Sequence, residues 1–167
     1  MDKLLQLLST NSGFTTGEIA TMLGEPEDYI KAQIKEYENK GLIKGYQAVV
    51  NRDELADGDV EALIELKVMP KKETGFDEMA ERCMAFEEVE SVYLMAGAYD
   101  FALIVRGETM QDIAMFVAKK LSTIDGVLST GTHFIMRRYK DRGMNLIDFG
   151  DRTDGRNLIM LFITINI

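Results

Sequence analysis

Short apolar stripes at helical spacing open the chain, each followed by residues that end helices. Leu4, Leu5 and Leu8 share one face of a first predicted helix over residues 2–9. The polar run that leads into Gly13 ends it. We therefore expect a short amphipathic helix that packs through its leucines.

Two further helices are predicted directly after the first. The second starts at a threonine cap, Thr15 or Thr16, carries Glu18 in its first turn and closes at Gly24. Pro26 suits the first turn of the third helix, which ends at Lys40-Gly41. The apolar stripe of that helix recurs at i, i+4 and i+7: Ile30, Ile34 and Tyr37. A three-residue connection that contains glycine is typical of a helix-turn-helix unit.

A change of periodicity marks the end of this first domain. From Leu42 to Val50 the apolar spacing becomes strand-like, and a polar stretch with a turn signal follows it. We therefore predict a winged helix-turn-helix domain over residues 1–50 and a linker over residues 51–59.

The pattern beyond the linker predicts four strands and two helices. Val60 to Val68 alternates apolar and charged residues, as a half-buried strand does. The other elements are strands at Val89 to Met95, Phe101 to Val105 and Val127 to Met136, and helices around Phe76 to Cys83 and Met110 to Leu121. Their order is that of an α+β, ferredoxin-like βαββαβ domain, with both helices on one face of an antiparallel sheet.

The predicted second domain covers residues 60–143, and residues 144–167 are predicted to be a C-terminal extension with an added strand. The sheet face away from the helices is not cleanly polar in the last three strands. A partner is expected to cover it, most simply a second copy in a homodimer that then assembles into a larger symmetric ring.

Composition points to a cytoplasmic protein. Cys83 is the one cysteine, so no intrachain disulfide can form, which fits a reducing compartment. The first residues lack the basic lead and cleavage site of a signal peptide. The longest apolar run, Leu158 to Ile163, is far shorter than the roughly 20 residues of a membrane helix. No membrane partner is expected.

The charge balance excludes a protein that coats nucleic acid non-specifically. The net charge is −9; up to residue 55 there are six Lys/Arg against nine Asp/Glu, which leaves −3, and the rest carries −6. Phosphate contacts need clustered cations, and neither half is a basic module. Affinity for DNA would therefore depend on several copies of the helix-turn-helix domain, or head, held together in an oligomer.

The outward face of the third helix carries the candidate DNA contacts. With Ile30 and Ile34 turned inward, the helix points polar side chains away from the core, where a recognition helix meets the major groove. The predicted contacts are Tyr29, Lys31, Ala32, Gln33 and Lys35. The lysines would meet phosphates, Gln33 would read an adenine edge and Tyr29 would contact the backbone. The alternative to a DNA contact is that these residues form an ordinary solvent-exposed helix face.

A glycine-containing loop carries the candidate effector contacts. In Gly97-Ala98-Tyr99-Asp100, glycine lets backbone amides approach a carboxylate, and Asp100 can pair with an ammonium group. Thr130 and Thr132 share one strand face and would add hydroxyl contacts. These residue types are also common in turns and strands, so a purely structural role stays open.

These segments together resemble the Lrp/AsnC (feast/famine) family over about residues 2–143. The motifs occur in the family's order and spacing: the run from Gly24 to Tyr46, then Gly97-Ala98-Tyr99-Asp100, Gly126-Val127, Thr130, Thr132 and Arg137-Arg138-Tyr139-Lys140. The resemblance implies a transcription regulator that binds double-stranded DNA. It also implies an amino acid or related small effector, held near the glycine loop at interfaces between dimers of a larger assembly, an octamer.

Two other functions agree with parts of the sequence. Ala32 and Gln33 stand where the family often has arginines, which favours an effector-binding or partner-modulating protein with little DNA affinity of its own. Certain tetrapyrrole decarboxylases share the two-domain layout, but the chain offers one histidine and no tryptophan. We expect no enzyme activity, no catalytic residue, no cofactor and no metal, and we assign His133 to a core or interface role.

Overall fold

In the computed structural model, which describes residues 2–55, 58–70 and 75–147, three helices precede a four-stranded sheet with two more helices. The helices are α1 (Lys3–Thr10), α2 (Thr16–Leu23), α3 (Glu27–Asn39), α4 (Asp77–Met84) and α5 (Met110–Phe116). The strands are β1 (Val60–Val68), β2 (Val89–Leu94), β3 (Phe101–Gly107), β4 (Val127–Phe134), β5 (Lys140–Asp141) and β6 (Met144–Asn145). Of the described residues, those up to Val50 and those at 139–147 form one compact unit, and those between Asn51 and Arg138 form another.

Local caps determine where the first helices begin and end. The carboxylate of Asp2 caps α1 by accepting a hydrogen bond from the Leu4 N–H at 2.7 Å. Thr15 and Glu18 form a capping box at the start of α2, in agreement with the predicted threonine cap. Gly24 ends α2 at φ 71°, a left-handed conformation that glycine adopts without a Cβ clash.

The three helices bury one small core. Its fully buried members are Leu4, Ile19, Ala20 and Ile30, with Ile34 and Tyr37 partly buried against them. The inward stripe predicted for α3 is therefore confirmed. Pro26 occupies the N-cap position of this helix rather than its first turn.

The strand predicted from Leu42 to Val50 is wrong, because these residues carry no strand in the structure. The N–H groups of Leu42 and Ile43 instead donate to the carbonyl of Tyr37, at 2.9 and 3.3 Å, and so close the end of α3. A strand also needs a partner for its ladder. The short hairpin of β5 and β6 belongs to the same unit as the three helices.

The second unit has the ferredoxin-like sheet that the sequence predicts. Strand order is β2-β3-β1-β4, with each neighbouring pair antiparallel. Alternate residues of β1 and β3 bury their side chains on one face, and both helices pack against that face. The core consists of Ala62, Ile64, Leu66, Val68, Met79, Cys83, Phe101, Leu103, Val105, Ile113, Phe116, Val117 and Leu121.

Some boundaries differ from those predicted. The helix predicted from Met110 to Leu121 is an α-helix up to Phe116 and a π-helical turn over Val117–Leu121. The unit of the three helices also includes residues 139–147, of which 139–143 lie within the predicted sheet domain of residues 60–143. In the predicted C-terminal extension, Met144–Asn145 form β6, and residues 148–167 lie outside the described part.

The buried thiol of Cys83 gives a prediction for the packing of α4. Burial raises the pKa of Cys83 to about 11, and only the thiolate attacks a maleimide. The pKa of Cys83 is higher in the folded than in the unfolded protein, because burial favours the neutral thiol. Its contribution to the free energy of unfolding is therefore complete below the unfolded pKa and is lost as the pH rises towards 11. We expect labelling at pH 8 to be roughly 100-fold slower in the native protein than in urea, measured by mass spectrometry.

A Cys83→Ser variant serves as the control, since Cys83 is the only cysteine and the variant should take up no label. Equal labelling rates in native and unfolded protein would contradict the buried placement of this side chain.

Candidate functional site

The outer face of α3 exposes most of the residues predicted to contact DNA. Four of the five are exposed to solvent: Tyr29, Lys31, Ala32 and Lys35. Gln33 is only half-buried beside the apolar stripe, and its Nε2 donates to the Glu36 carboxylate at 3.4 Å. Gln33 would have to leave this contact to reach a base edge. The small side chain of Ala32 leaves the middle of the face open for a duplex to approach closely.

Ion pairs within the helix divide its lysines into two kinds. Lys31 Nζ lies 2.8 Å from Glu27 Oε1, and hydrogen bonding to Lys31 lowers the pKa of Glu27. Lys40 pairs with Glu36 one turn apart in the same way. Lys35 has no ion-pair partner among the described residues. It is therefore the lysine of this face whose charge is available to a phosphate.

Glu27 is a positioning residue that the sequence reasoning missed. One of its carboxylate oxygens, Oε1, accepts a hydrogen bond from Thr16 Oγ1 at 2.7 Å and also contacts Lys31. Because Thr16 begins α2 and Glu27 begins α3, this contact joins the starts of the two helices. A threonine and a glutamate eleven positions apart carry no pattern that would identify the pair beforehand.

The glycine loop is tied to the central strand through Asp100. Asp100 Oδ2 accepts a hydrogen bond from the Val68 N–H at 2.8 Å, and its own N–H donates to the Leu66 carbonyl at 2.9 Å. Gly97 and Ala98 are exposed, while Tyr99 and Asp100 are half-buried. The carboxylate predicted to bind an ammonium group therefore already supports the loop, with Oδ2 committed to the backbone.

The two threonines lie on the helix-covered side of the sheet, at its edge. Thr130 pairs with buried Leu66 and Thr132 with buried Ile64, so the two share one face as predicted. Leu66 also pairs with Phe101 on the other side of β1. Since neighbouring strands are about 4.8 Å apart, Thr130 lies roughly 10 Å from the start of β3, where the loop ends. Within one chain the two halves of the predicted effector site are adjacent but not in contact.

A small cleft lies where β1 ends against α4. Its lining includes Val68, whose N–H donates to Asp100, and also Met79, Arg82 and Asp125. The cleft encloses about 20 Å³, which is room for a water molecule rather than an amino acid. This cleft alone is too small to hold an amino acid.

Among the described residues, no helix packs on the other face of the sheet, and this face includes apolar side chains. Tyr93 pairs with Ala102 on this face and remains 54% exposed. His133 lies there too, opposite the threonines as predicted, with Nε2 at 3.4 Å from Glu65 Oε1. Its side chain is 58% exposed, so it is not a core residue within this chain. Leu63 and Ile104 pair with each other on the same face as Tyr93, and such a group of apolar side chains on a sheet surface is typical of a face that another protein covers.

Comparison of this chain with known proteins points to one family. The model of the Lrp/AsnC ligand binding domain matches residues 61–144. The HTH-type transcriptional regulator YugG of Bacillus subtilis (strain 168) is 44% identical over 151 residues, which are 89% of this chain and 90% of YugG. The expectation that the chain is no enzyme is confirmed by its similarity to regulators.

Solved structures share the fold. Escherichia coli AsnC superposes with a TM-score of 0.66 at 22% identity, over 86% of this chain and 97% of AsnC. The complex of the Neisseria meningitidis transcriptional regulator NMB0573 with L-Met gives 0.68 at 22% identity, over 84% of this chain and 93% of that one. In the described residues, no helix has the length and apolar character needed to cross a membrane.

Proposed function

Because the chain belongs to the Lrp/AsnC family of transcriptional regulators, we propose that it binds specific sites in double-stranded DNA through α3 and responds to an amino-acid effector in the cytoplasm. The observation that carries the DNA half is the polar outer face of α3, held by a buried apolar stripe and by the Thr16–Glu27 bond. Such a helix can enter a major groove without disturbing its core.

Each residue of this face has a proposed role. Lys35 contacts a phosphate, Lys31 does so while sharing its charge with Glu27, and Tyr29 donates its hydroxyl to the backbone. Ala32 packs close to the groove floor, where an alanine can contact a thymine methyl. Gln33 reads a base only after it releases Glu36.

The effector half of the proposal concerns the glycine loop. We place the amino acid against Gly97, Ala98, Tyr99 and Asp100, with Thr130 and Thr132 supplied by a neighbouring copy. The support is that one chain leaves these groups about 10 Å apart and that its cleft at Val68 holds only about 20 Å³. The related NMB0573 structure, a complex with L-Met, supports an amino acid as the ligand class.

Assembly is part of the proposed mechanism. The bare sheet face with Tyr93 and Ala102 is proposed to pair with a second copy, and dimers are proposed to join into an octamer. A head with few available cations binds weakly alone, so affinity rises when several heads are held together. The effector then shifts the population between assemblies that space the heads differently.

Two measurements test this function separately. Selection of duplexes from a random pool by the purified protein should enrich a defined sequence, with affinity that falls as salt rises. A thermal-shift screen of the amino acids should find one that raises the midpoint by about 5–10 °C at roughly 100 times its Kd. A selection without enrichment would overturn the DNA half, and a screen without a shift would overturn the effector half.

One observation favours a second function. Two lysines of the α3 region, Lys31 and Lys40, are already paired with glutamates, and the first 55 residues carry a net −3. A protein that binds an effector and modulates a partner, with little DNA affinity of its own, would have such a head. The thermal midpoint of such a protein would rise in the amino-acid screen, and the protein would enrich no duplex in the selection.

A further inference from the structure

A tight hairpin follows the sheet domain and has an unusual turn. Strands β5 and β6 are joined by Arg142-Gly143, at φ 44° and 87°, and the Leu146 N–H closes the hairpin on the Tyr139 carbonyl at 3.0 Å. Two positive φ angles are the mark of a type I′ turn, whose first position favours asparagine or glycine. Arg142 is the one non-glycine with a positive φ among the described residues. An arginine here accepts a disfavoured backbone, which points to a use for its side chain.

The hairpin lies in the most basic run of an acidic chain. Residues 137–142 hold four Lys/Arg and one aspartate, in a protein whose net charge is −9. Arg138 belongs to the sheet unit and is paired there with Glu61, so the cations of the hairpin itself are Lys140 and Arg142. Lys140 and Arg142 are both exposed. Because the chain as a whole is acidic, two exposed cations side by side in the hairpin mark a place where a polyanion can touch it.

Contacts connect this hairpin to the DNA-binding helix. Arg142 Nη1 donates to Gln47 Oε1, and the neighbouring Tyr46 hydroxyl donates to Glu38 Oε1 on α3 at 2.9 Å. The hairpin and α3 also belong to the same compact unit. A guanidinium has five N–H donors, so the bond to Gln47 orients Arg142 and leaves donors for a second acceptor.

We propose that the hairpin of residues 139–146 is a second DNA-contacting element of the head, with Lys140 and Arg142 bound to phosphates of the duplex. This rests on the proposed DNA-binding function and adds a separate surface to it. The contacts position the head on the backbone and read no bases. They add cations to that of Lys35, because Lys31 and Lys40 of the α3 region are already paired with glutamates.

The test uses the full-length protein and a fluorescent duplex enriched from a random pool by the wild type. Arg142→Asn removes the charge but suits the turn, so the hairpin should be at least as stable. Affinity should fall roughly fivefold to tenfold near 0.1 M salt, and the slope of log K against log[salt] should drop by about 0.9 per engaged head. Lys140→Gln should lower the affinity and the slope by similar amounts. Arg142→Lys should keep most of the affinity.

Lys119→Gln is the matched control, because it removes one exposed charge from the π-helical turn of the other unit. If the control loses as much affinity as Arg142→Asn, the effect is one of overall charge and the proposal is overturned. Unchanged affinity and slope in both hairpin variants would also overturn it, while α3 could still bind DNA. Failure of the wild type to enrich any duplex would instead remove the proposed function itself.

Discussion

A Lys35→Glu variant is expected to lose roughly 100-fold in affinity for its selected duplex near 0.1 M salt, with its thermal stability unchanged. Lys35 is the exposed lysine of α3 without an ion-pair partner among the described residues, so its charge is fully available to DNA. Each phosphate contact contributes about 0.9 to the salt slope, and reversal both removes the contact and adds repulsion. Fluorescence anisotropy across a series of salt concentrations would measure both the affinity and the slope.

Lys3→Glu is the matched control for this variant. Lys3 is exposed at the first position of α1, in the same unit, where a glutamate is favourable at a helix start. It makes the same change of net charge away from the outer face of α3. Equal losses in the two variants would mean that only total charge matters, and no loss in Lys35→Glu would remove α3 from the interface.

The largest expected effect on stability comes from Leu103→Ala. Leu103 lies in the middle of β3, is 0% exposed, and pairs with Ile64 on one side and Val92 on the other. Truncating a buried leucine removes its transfer free energy and leaves a cavity, which costs about 2–5 kcal/mol. That is a large share of the stability of a small domain. Urea unfolding followed by circular dichroism would show the lower midpoint.

Leu94→Ala in the same sheet separates burial from the change of residue type. Leu94 is 59% exposed at the end of β2, so its loss should cost within about 0.5 kcal/mol. Both variants need several protein concentrations, because association stabilises the folded chain by mass action. A similar loss in both would contradict the core assigned to Leu103.

Local patterns were enough for most of the elements. The threonine cap with Glu18, the closing Gly24 and the alternation from Val60 to Val68 each act over a few residues, and each appears in the structure as predicted. The segment from Leu42 to Val50 also has a strand-like pattern but forms no strand, and its first two N–H groups close the end of α3. Alternation indicates a side-chain pattern, whereas a strand also requires a partner.

The candidate sites could be predicted only in part. The face of α3 and the shared face of Thr130 and Thr132 follow from the helical and strand periods alone. The use of Asp100 does not, because its hydrogen bond to Val68 joins residues 32 positions apart. The bond between Thr16 and Glu27 was missed for the same reason.

The sequence by itself determined the order of helices and strands, the faces they bury and the acidic balance of the chain, because caps, periodicity and charge are properties of neighbouring residues. Only the tertiary structure decided which groups far apart in the sequence meet and which segments share a unit. It brought Arg142 to Gln47 across 95 positions and so joined the basic hairpin to the helical head. Such contacts depend on the packing of whole elements, which no local pattern encodes.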